Sequence, residues 1–196
     1  MDYISKYIEI KDGTIWKNGE LQSQTSSSDF SEIMKTFYKE RNISYPKFYK
    51  MDDLCKLAFI GAEWLLEDEV SKDIALLFSN SEASLDTDTK YQQSIQLKED
   101  YYPSPAVFVY TLPNIAIGEV SIRHQLKTES AFLVSDAFPM EEMVPYAEYL
   151  LQTKKAGKVV CAWIHKLENA YHAFFYLVEK QGQWPHTKHT INELFK

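Results

Sequence analysis

Five histidines, two cysteines and one strand-to-helix turn hold most of the chemistry this chain could offer. The turn is Ser135-Asp136-Ala137-Phe138. It lies between a short apolar run, Ala131 to Val134, and a helix starting near Pro139. A strand that feeds a sharp turn and then a buried helix is a layout by which many enzymes hold a nucleophile at a helix N-terminus, where free N–H groups and the dipole favour an anion. No such nucleophile stands here, and a serine mechanism at Ser135 needs a base that the neighbouring residues do not provide.

The histidines titrate closest to neutrality. His186 and His189 are three residues apart and could share a metal, but no carboxylate or cysteine joins them at a ligand spacing, so zinc is not expected. His165 and His172 flank an expected hairpin turn and read as cross-strand neighbours rather than a catalytic pair. His124 follows Arg123 at the end of an expected helix, where a cation complements the dipole. Cys55 and Cys161 each sit in an apolar segment, one helical and one strand-like, and read as buried thiols. Phosphate-cradling glycine loops and paired-cysteine metal motifs are absent, and six glycines leave little material for a cofactor loop. No cofactor is expected.

The elements that must position these groups follow from periodicity and breakers. Tyr3 to Ile10 alternates as a strand does, Asp12-Gly13 turns, and Thr14 to Trp16 returns before a second turn at Asn18-Gly19. Leu21 to Ser28 is polar and reads as an exposed loop. Ser28 or Asp29 caps a helix through about Arg41, with Phe30, Ile33, Met34, Phe37 and Tyr38 as its core stripe. Asp52 or Asp53 opens a second helix, apolar over most of its circumference from Leu54 to Leu66. Ile74 to Phe78 reads as a strand covered on both faces, Ser79 to Asp88 as a loop of turn formers and caps, and Thr89 to Leu97 as helix. Asp100 to Pro105 is a break. Pro113 sets Asn114 as a cap for Ile115 to Ile122, in which Ala116, Gly118 and Ser121 suit close packing on a neighbouring backbone. Met140 to Leu151 is a helix that Gly157 closes, Val159 to Ile164 and Tyr171 to Val178 form a hairpin, and Thr190 to Glu193 has the pattern of a capping box before a short closing helix.

The 196 residues fit one domain, 1–196, with a sizeable core. A net charge of −7 without a basic cluster argues against nucleic acid, whose phosphates must be neutralised by Lys and Arg. The N-terminus lacks the apolar core of a signal peptide, and no run approaches the ~20 apolar residues of a membrane span, so a cytoplasmic protein is expected.

Several segments together resemble a known family. Pro103-Ser104-Pro105, Leu112-Pro113-Asn114, Gly118, Ser121-Ile122 and the strand at Ala131 to Val134 resemble the N-terminal half of the beta-ketoacyl-acyl carrier protein synthases. Upstream, Pro46-Lys47-Phe48, Lys50-Met51-Asp52, the helix Leu54 to Leu66 and Ala75 to Ser81 extend the resemblance, which runs from about Tyr45 to Ile164.

The resemblance implies an α/β thiolase-like half, with a mixed five-stranded sheet and helices on both faces. It places the family's acyl-accepting cysteine at Ala137, with Asp136 the next candidate, and neither forms a thioester. It also implies that Ala131, Phe132, Leu133 and Val134 pair across a two-fold axis in a dimer. The reading that results is a noncatalytic ketosynthase-like subunit, in a homodimer or in a heterodimer with a ketosynthase, assisting fatty-acid or polyketide-type biosynthesis. An acyl carrier protein is itself acidic and would need a local patch such as Lys154, Lys155 and Lys158. Two alternatives remain: an enzyme completed by a second chain or using Asp136 as acid or base, and a stand-alone protein that binds an acyl or aromatic ligand.

Overall fold

The computed structural model describes residues 1–96, 101 and 103–195. Five strands lie side by side in the order β1 (Tyr3–Lys11), β7 (Ala170–Glu179), β6 (Lys158–Leu167), β4 (Ile74–Asn80) and β5 (Ser130–Val134). β4 runs parallel to both β5 and β6, while the β6–β7 and β7–β1 pairs are antiparallel. This is the mixed sheet expected from the sequence. Among the described residues its count is corrected from five strands to eight, because β2 (Thr14–Lys17) and β3 (Glu20–Gln24) extend the β1 edge and β8 (Trp184–Pro185) pairs with the start of β1. β3 lies in the stretch read as loop. Its side chains are polar, but an edge strand needs only a backbone partner on one side, which Thr14, Ile15 and Trp16 supply.

Helices cover both faces. On one face α1 (Phe30–Glu40), α2 (Asp53–Leu65) and α5 (Ile115–His124) close over Ile8, Ile10, Phe78 and Phe175. On the other, α6 (Met140–Gln152) and α7 (Lys188–Leu194) close over Leu77, Phe174 and Tyr176. α3 (Leu85–Gln96) and α4 (Pro105–Val109) follow β4 in the chain.

α2 shows why the sequence folds this way. The Asp52 carboxylate accepts the Cys55 N–H at 2.9 Å and fixes the first turn. Eleven of its thirteen residues are buried, as an all-round apolar helix requires. Gly61 lets it lie directly on β7, since a Cβ there would meet the Phe175 ring at 2.2 Å. On α5 (Ile115–His124) the sequence suggests the same role for Gly118, but its Cβ position has nothing within 4 Å. Ala116 on the same helix is fully buried.

Other boundaries shift for local reasons. Asn114 is the N-cap of α5 but makes no side-chain capping bond. β4 extends to Asn80 because Ser79 donates to the Ala162 carbonyl at 2.9 Å and Asn80 brackets the backbone of Ala83. α3 starts at Leu85, four residues before the expected helix, and Leu97 and Asp100 lie outside the described residues. α6 ends at a left-handed Lys154 (φ 57°), not at Gly157. α7 is capped by Thr187, whose hydroxyl accepts the Thr190 N–H at 3.2 Å, so the capping box proposed at Thr190 is displaced by one turn.

Candidate functional site

Ligand sites in open α/β sheets gather beyond the carboxyl ends of the parallel strands. Here those ends are Asn80 on β4, Val134 on β5 and the far half of β6. The Ser135 N–H donates to the Asn80 carbonyl at 3.0 Å, so the turn begins as an extension of the β4–β5 ladder. Asp136 and Ala137 are exposed at its tip. Phe138 then turns inward and meets Trp163 at 5.8 Å, Phe174 at 6.2 Å, Tyr176 at 6.4 Å and Phe195 at 5.4 Å between ring centroids. Pro139 opens α6, and its carbonyl accepts from Met143 N at 2.9 Å.

A cavity of about 630 Å³ lies between this turn and α7. Ala137, Phe138, Met140 and Phe195 give it an apolar side, while Glu141 and Lys188 pair at 2.5 Å on its polar side. Asp136 does not line it, nor does any histidine. The strand, turn and helix expected from the sequence are therefore all present, with an alanine at the tip.

Neither cysteine approaches the turn's chemistry. Cys55 is buried in α2, and burial, reinforced by the Asp52 carboxylate, pushes its thiol well above the ordinary range. Cys161 is buried in β6, where burial pushes it up to about 12, with the neighbouring Tyr176 hydroxyl opposing the shift. Neither offers a thiolate near neutrality.

Four of the five histidines are committed to carboxylates. His165 and His172 face each other across the β6–β7 ladder, as read from the sequence, but each turns to its own acid. His165 pairs with Glu82, and His172 with Glu9 at 2.8 Å. His124 lies 3.1 Å from Glu63, which also accepts two bonds from Arg123, at 2.7 and 2.9 Å. Burial works to raise the Glu63 carboxyl, yet these bonds and charges outweigh it and hold the group at about 2. His189 is exposed and pairs with Glu193 at 3.4 Å. His186 is buried at 3% exposure, and both ring nitrogens lack a hydrogen-bond partner among the described residues. One of the two tail histidines thus faces the core and the other solvent. Among the described residues no three His, Cys, Asp or Glu side chains gather as a metal site.

Sequence reading could not find these partners, because Glu63 and Arg123 are sixty residues apart and Glu9 and His172 are 163 apart. It also missed Lys166, buried in β6, which donates to Asp86 at 2.9 Å and ties the hairpin to α3. The lysine patch near the end of α6 is largely neutralised. Lys155 meets Glu129 at 2.8 Å, and Lys158 meets Glu69 at 2.6 Å and Glu179 at 3.1 Å.

No family model and no curated protein matches the sequence. Solved structures do match the architecture. A chain of the ketosynthase in complex with its chain length factor from Xenorhabdus doucetiae superimposes with a TM-score of 0.65 at 14% identity, covering 91% of this chain and 79% of that one. The fold is that of the ketosynthases. The ishigamide ketosynthase/chain length factor gives a TM-score of 0.70 at 16% identity, over 91% of this chain and 62% of its own. A beta-ketoacyl synthase from Burkholderia phymatum gives 0.58 at 10% identity, over 100% and 61%. The chain therefore spans less than two thirds of the ishigamide and Burkholderia chains. Among the described residues, no helix of this ketosynthase-fold chain is long and apolar enough to cross a membrane.

Proposed function

We propose that residues 1–196 form one noncatalytic ketosynthase-like domain that assists a condensing enzyme in fatty-acid or polyketide-type biosynthesis in the cytoplasm. One observation carries this reading: the strand–turn–helix that would present a nucleophile is intact, but Ala137 stands at its tip and both thiols are buried elsewhere. Two of the similar structures pair a ketosynthase with a chain length factor, which makes an assisting subunit the natural role for a chain of this fold without the thiol.

The partner is assigned to β5. It is the last strand of the sheet, pairs only with β4 among the described residues, and carries Ala131, Phe132, Leu133 and Val134, the last 56% exposed. An apolar edge of this kind invites strand pairing. The occupant is a full-length ketosynthase or a second copy of this chain, and an acyl carrier protein would act through that partner, because two of the three lysines that could meet its acidic surface here, Lys155 and Lys158, are already paired.

Sedimentation at micromolar concentration, with and without a co-expressed ketosynthase, tests the assignment. A dimer is expected, and Leu133→Asp should dissociate it. A monomer that recovers no ketosynthase overturns the proposal. A second reading, an acyl or aromatic ligand held without a partner, is favoured by the 630 Å³ cavity beside Ala137 and Phe138. Native mass spectrometry showing a monomer with a co-purified ligand would establish it in place of the first.

A further inference from the structure

A second, smaller cavity lies on the other flank of α7. Its volume is about 220 Å³, and Tyr7, Glu9, Trp16, Gly19 and Leu194 line it. The β1–β2 register sets Glu9 directly opposite Trp16, and Tyr7 stands two residues before Glu9 on the same face of the sheet. Each wall is held from behind. The Tyr7 ring packs against Phe174 at 5.8 Å and edge-on against Trp184 at 5.3 Å. The Glu9 carboxylate meets His172 Nε2 at 2.8 Å, and that imidazole stacks flat on Phe195 at 4.9 Å and 5°. Gly19 takes φ +83°, and a Cβ there would stand 3.2 Å from the Tyr7 hydroxyl, narrowing the space.

The lining therefore combines two aromatic rings, one aliphatic wall and one fixed carboxylate, with no lysine or arginine among the lining residues. Aromatic faces attract a cation through the ring quadrupole, and a neighbouring carboxylate adds a full opposite charge. A free anion is repelled by the same set, and a neutral apolar group would leave Glu9 with no new partner. Trp16 lines this cavity and is 39% exposed.

We propose that this cavity binds an alkylammonium group, quaternary or primary, between Trp16 and Tyr7 with its charge against Glu9. The site needs no partner on β5 and stands or falls apart from the proposed subunit role.

The test is a titration of the full chain with choline, followed by the indole N–H resonance of Trp16 and assigned by its loss in Trp16→Phe. The neutral isostere 3,3-dimethyl-1-butanol serves as control, because it has the same shape without the charge. Choline should shift the resonance saturably, with a Kd of about 1 mM for a ligand of this size. The isostere should bind at least about tenfold more weakly. Glu9→Gln, which keeps an oxygen for His172, should weaken choline by a similar factor while the thermal melt and circular dichroism stay unchanged. If Glu9→Gln fails to fold, the comparison of choline with its isostere on the unaltered protein decides alone. No saturable shift by about 50 mM choline, equal binding of the isostere, or unchanged affinity in a folded Glu9→Gln protein would each overturn the proposal.

Discussion

His186 should make the stability of this chain depend on pH between about 6.5 and 4. The imidazole is 3% exposed, packs 5.8 Å from the Tyr176 ring, and has no partner for either nitrogen among the described residues. Burial pushes it down to about 4 from its ordinary 6.5, with the Asp2 carboxylate opposing the shift. The sign follows from linkage. Below 6.5 the unfolded chain takes up a proton at His186 that the folded chain refuses until about 4, so stability is full above 6.5 and is lost as the pH falls through this window. At about 1.4 kcal/mol per pH unit, the whole window removes about 3 kcal/mol, a large share of the 5–15 kcal/mol typical of a domain. The contribution of Glu63, held at about 2 against an ordinary 4.5, is lost only below 4.5, so it stays constant across the upper part of the window, and the difference from a variant without the imidazole isolates His186.

Urea denaturation of the unaltered protein and of His186→Phe, at steps from about pH 7 to 4.5, measures the effect. Phenylalanine keeps a flat ring against Tyr176 and removes both unmet nitrogens, so the variant should gain about 1 kcal/mol at neutral pH. Its stability should also fall less steeply below 6.5, by about 1.4 kcal/mol per unit. Parallel pH profiles for the two proteins would refute the reasoning. So would an NMR titration placing folded His186 near its ordinary value.

Gly61→Ala should cost about 1–3 kcal/mol despite alanine's better helix propensity, because its Cβ would meet the Phe175 ring, whereas Gly118→Ala, with open space around it, should stabilise by about 0.5–1 kcal/mol; chemical denaturation of both variants checks the contrast. Glu63→Gln leaves Arg123 and His124 without their counter-charge and should cost about 2 kcal/mol, below the roughly 3–5 kcal/mol of a fully buried pair because the Arg123 side chain is 30% exposed. Its acid unfolding should also lose the component between pH 4.5 and about 2. Cys55 and Cys161 should stay unreactive toward a thiol reagent until the protein unfolds, and rapid labelling of the native protein would contradict their burial. In any active complex with a ketosynthase, Asp136→Ala should leave turnover unchanged, since Asp136 lies exposed and outside the cavity wall.

What was legible in the sequence was whatever a local pattern enforces. The α1 stripe, the all-apolar α2 and the continuous run of β4 announce their burial because each is periodic or unbroken over a full element. Asp29 and Asp52 announce their caps for the same reason, as a short polar side chain before an apolar run. Gly118 and Gly61 show where such reading stops. Both are small residues in apolar helices, and only the three-dimensional approach of Phe175 decides which one is needed. The histidines show it again, since the pairing of His165 with His172 follows from a hairpin, while their actual partners, Glu82 and Glu9, come from other elements. The isolation of His186 leaves no trace in sequence at all, because it is a property of the space around the ring.

The two edges of the sheet differ in how they would receive an approaching strand. At one edge β3 carries Glu20, Gln22, Ser23 and Gln24 around a single exposed Leu21, so a strand approaching from outside meets mostly charge and polar side chains that disfavour pairing. At the other edge β5 carries four apolar residues in a row, with no charged or proline residue inside it to discourage an intruding strand. Sequences that fold alone usually guard both edges, because a bare apolar strand nucleates aggregation. With a guarded edge and an unguarded one on the same sheet, β5 rather than β3 is the edge at which an added strand should pair, so Leu133→Asp should change the oligomeric state while a charge added on β3 should not.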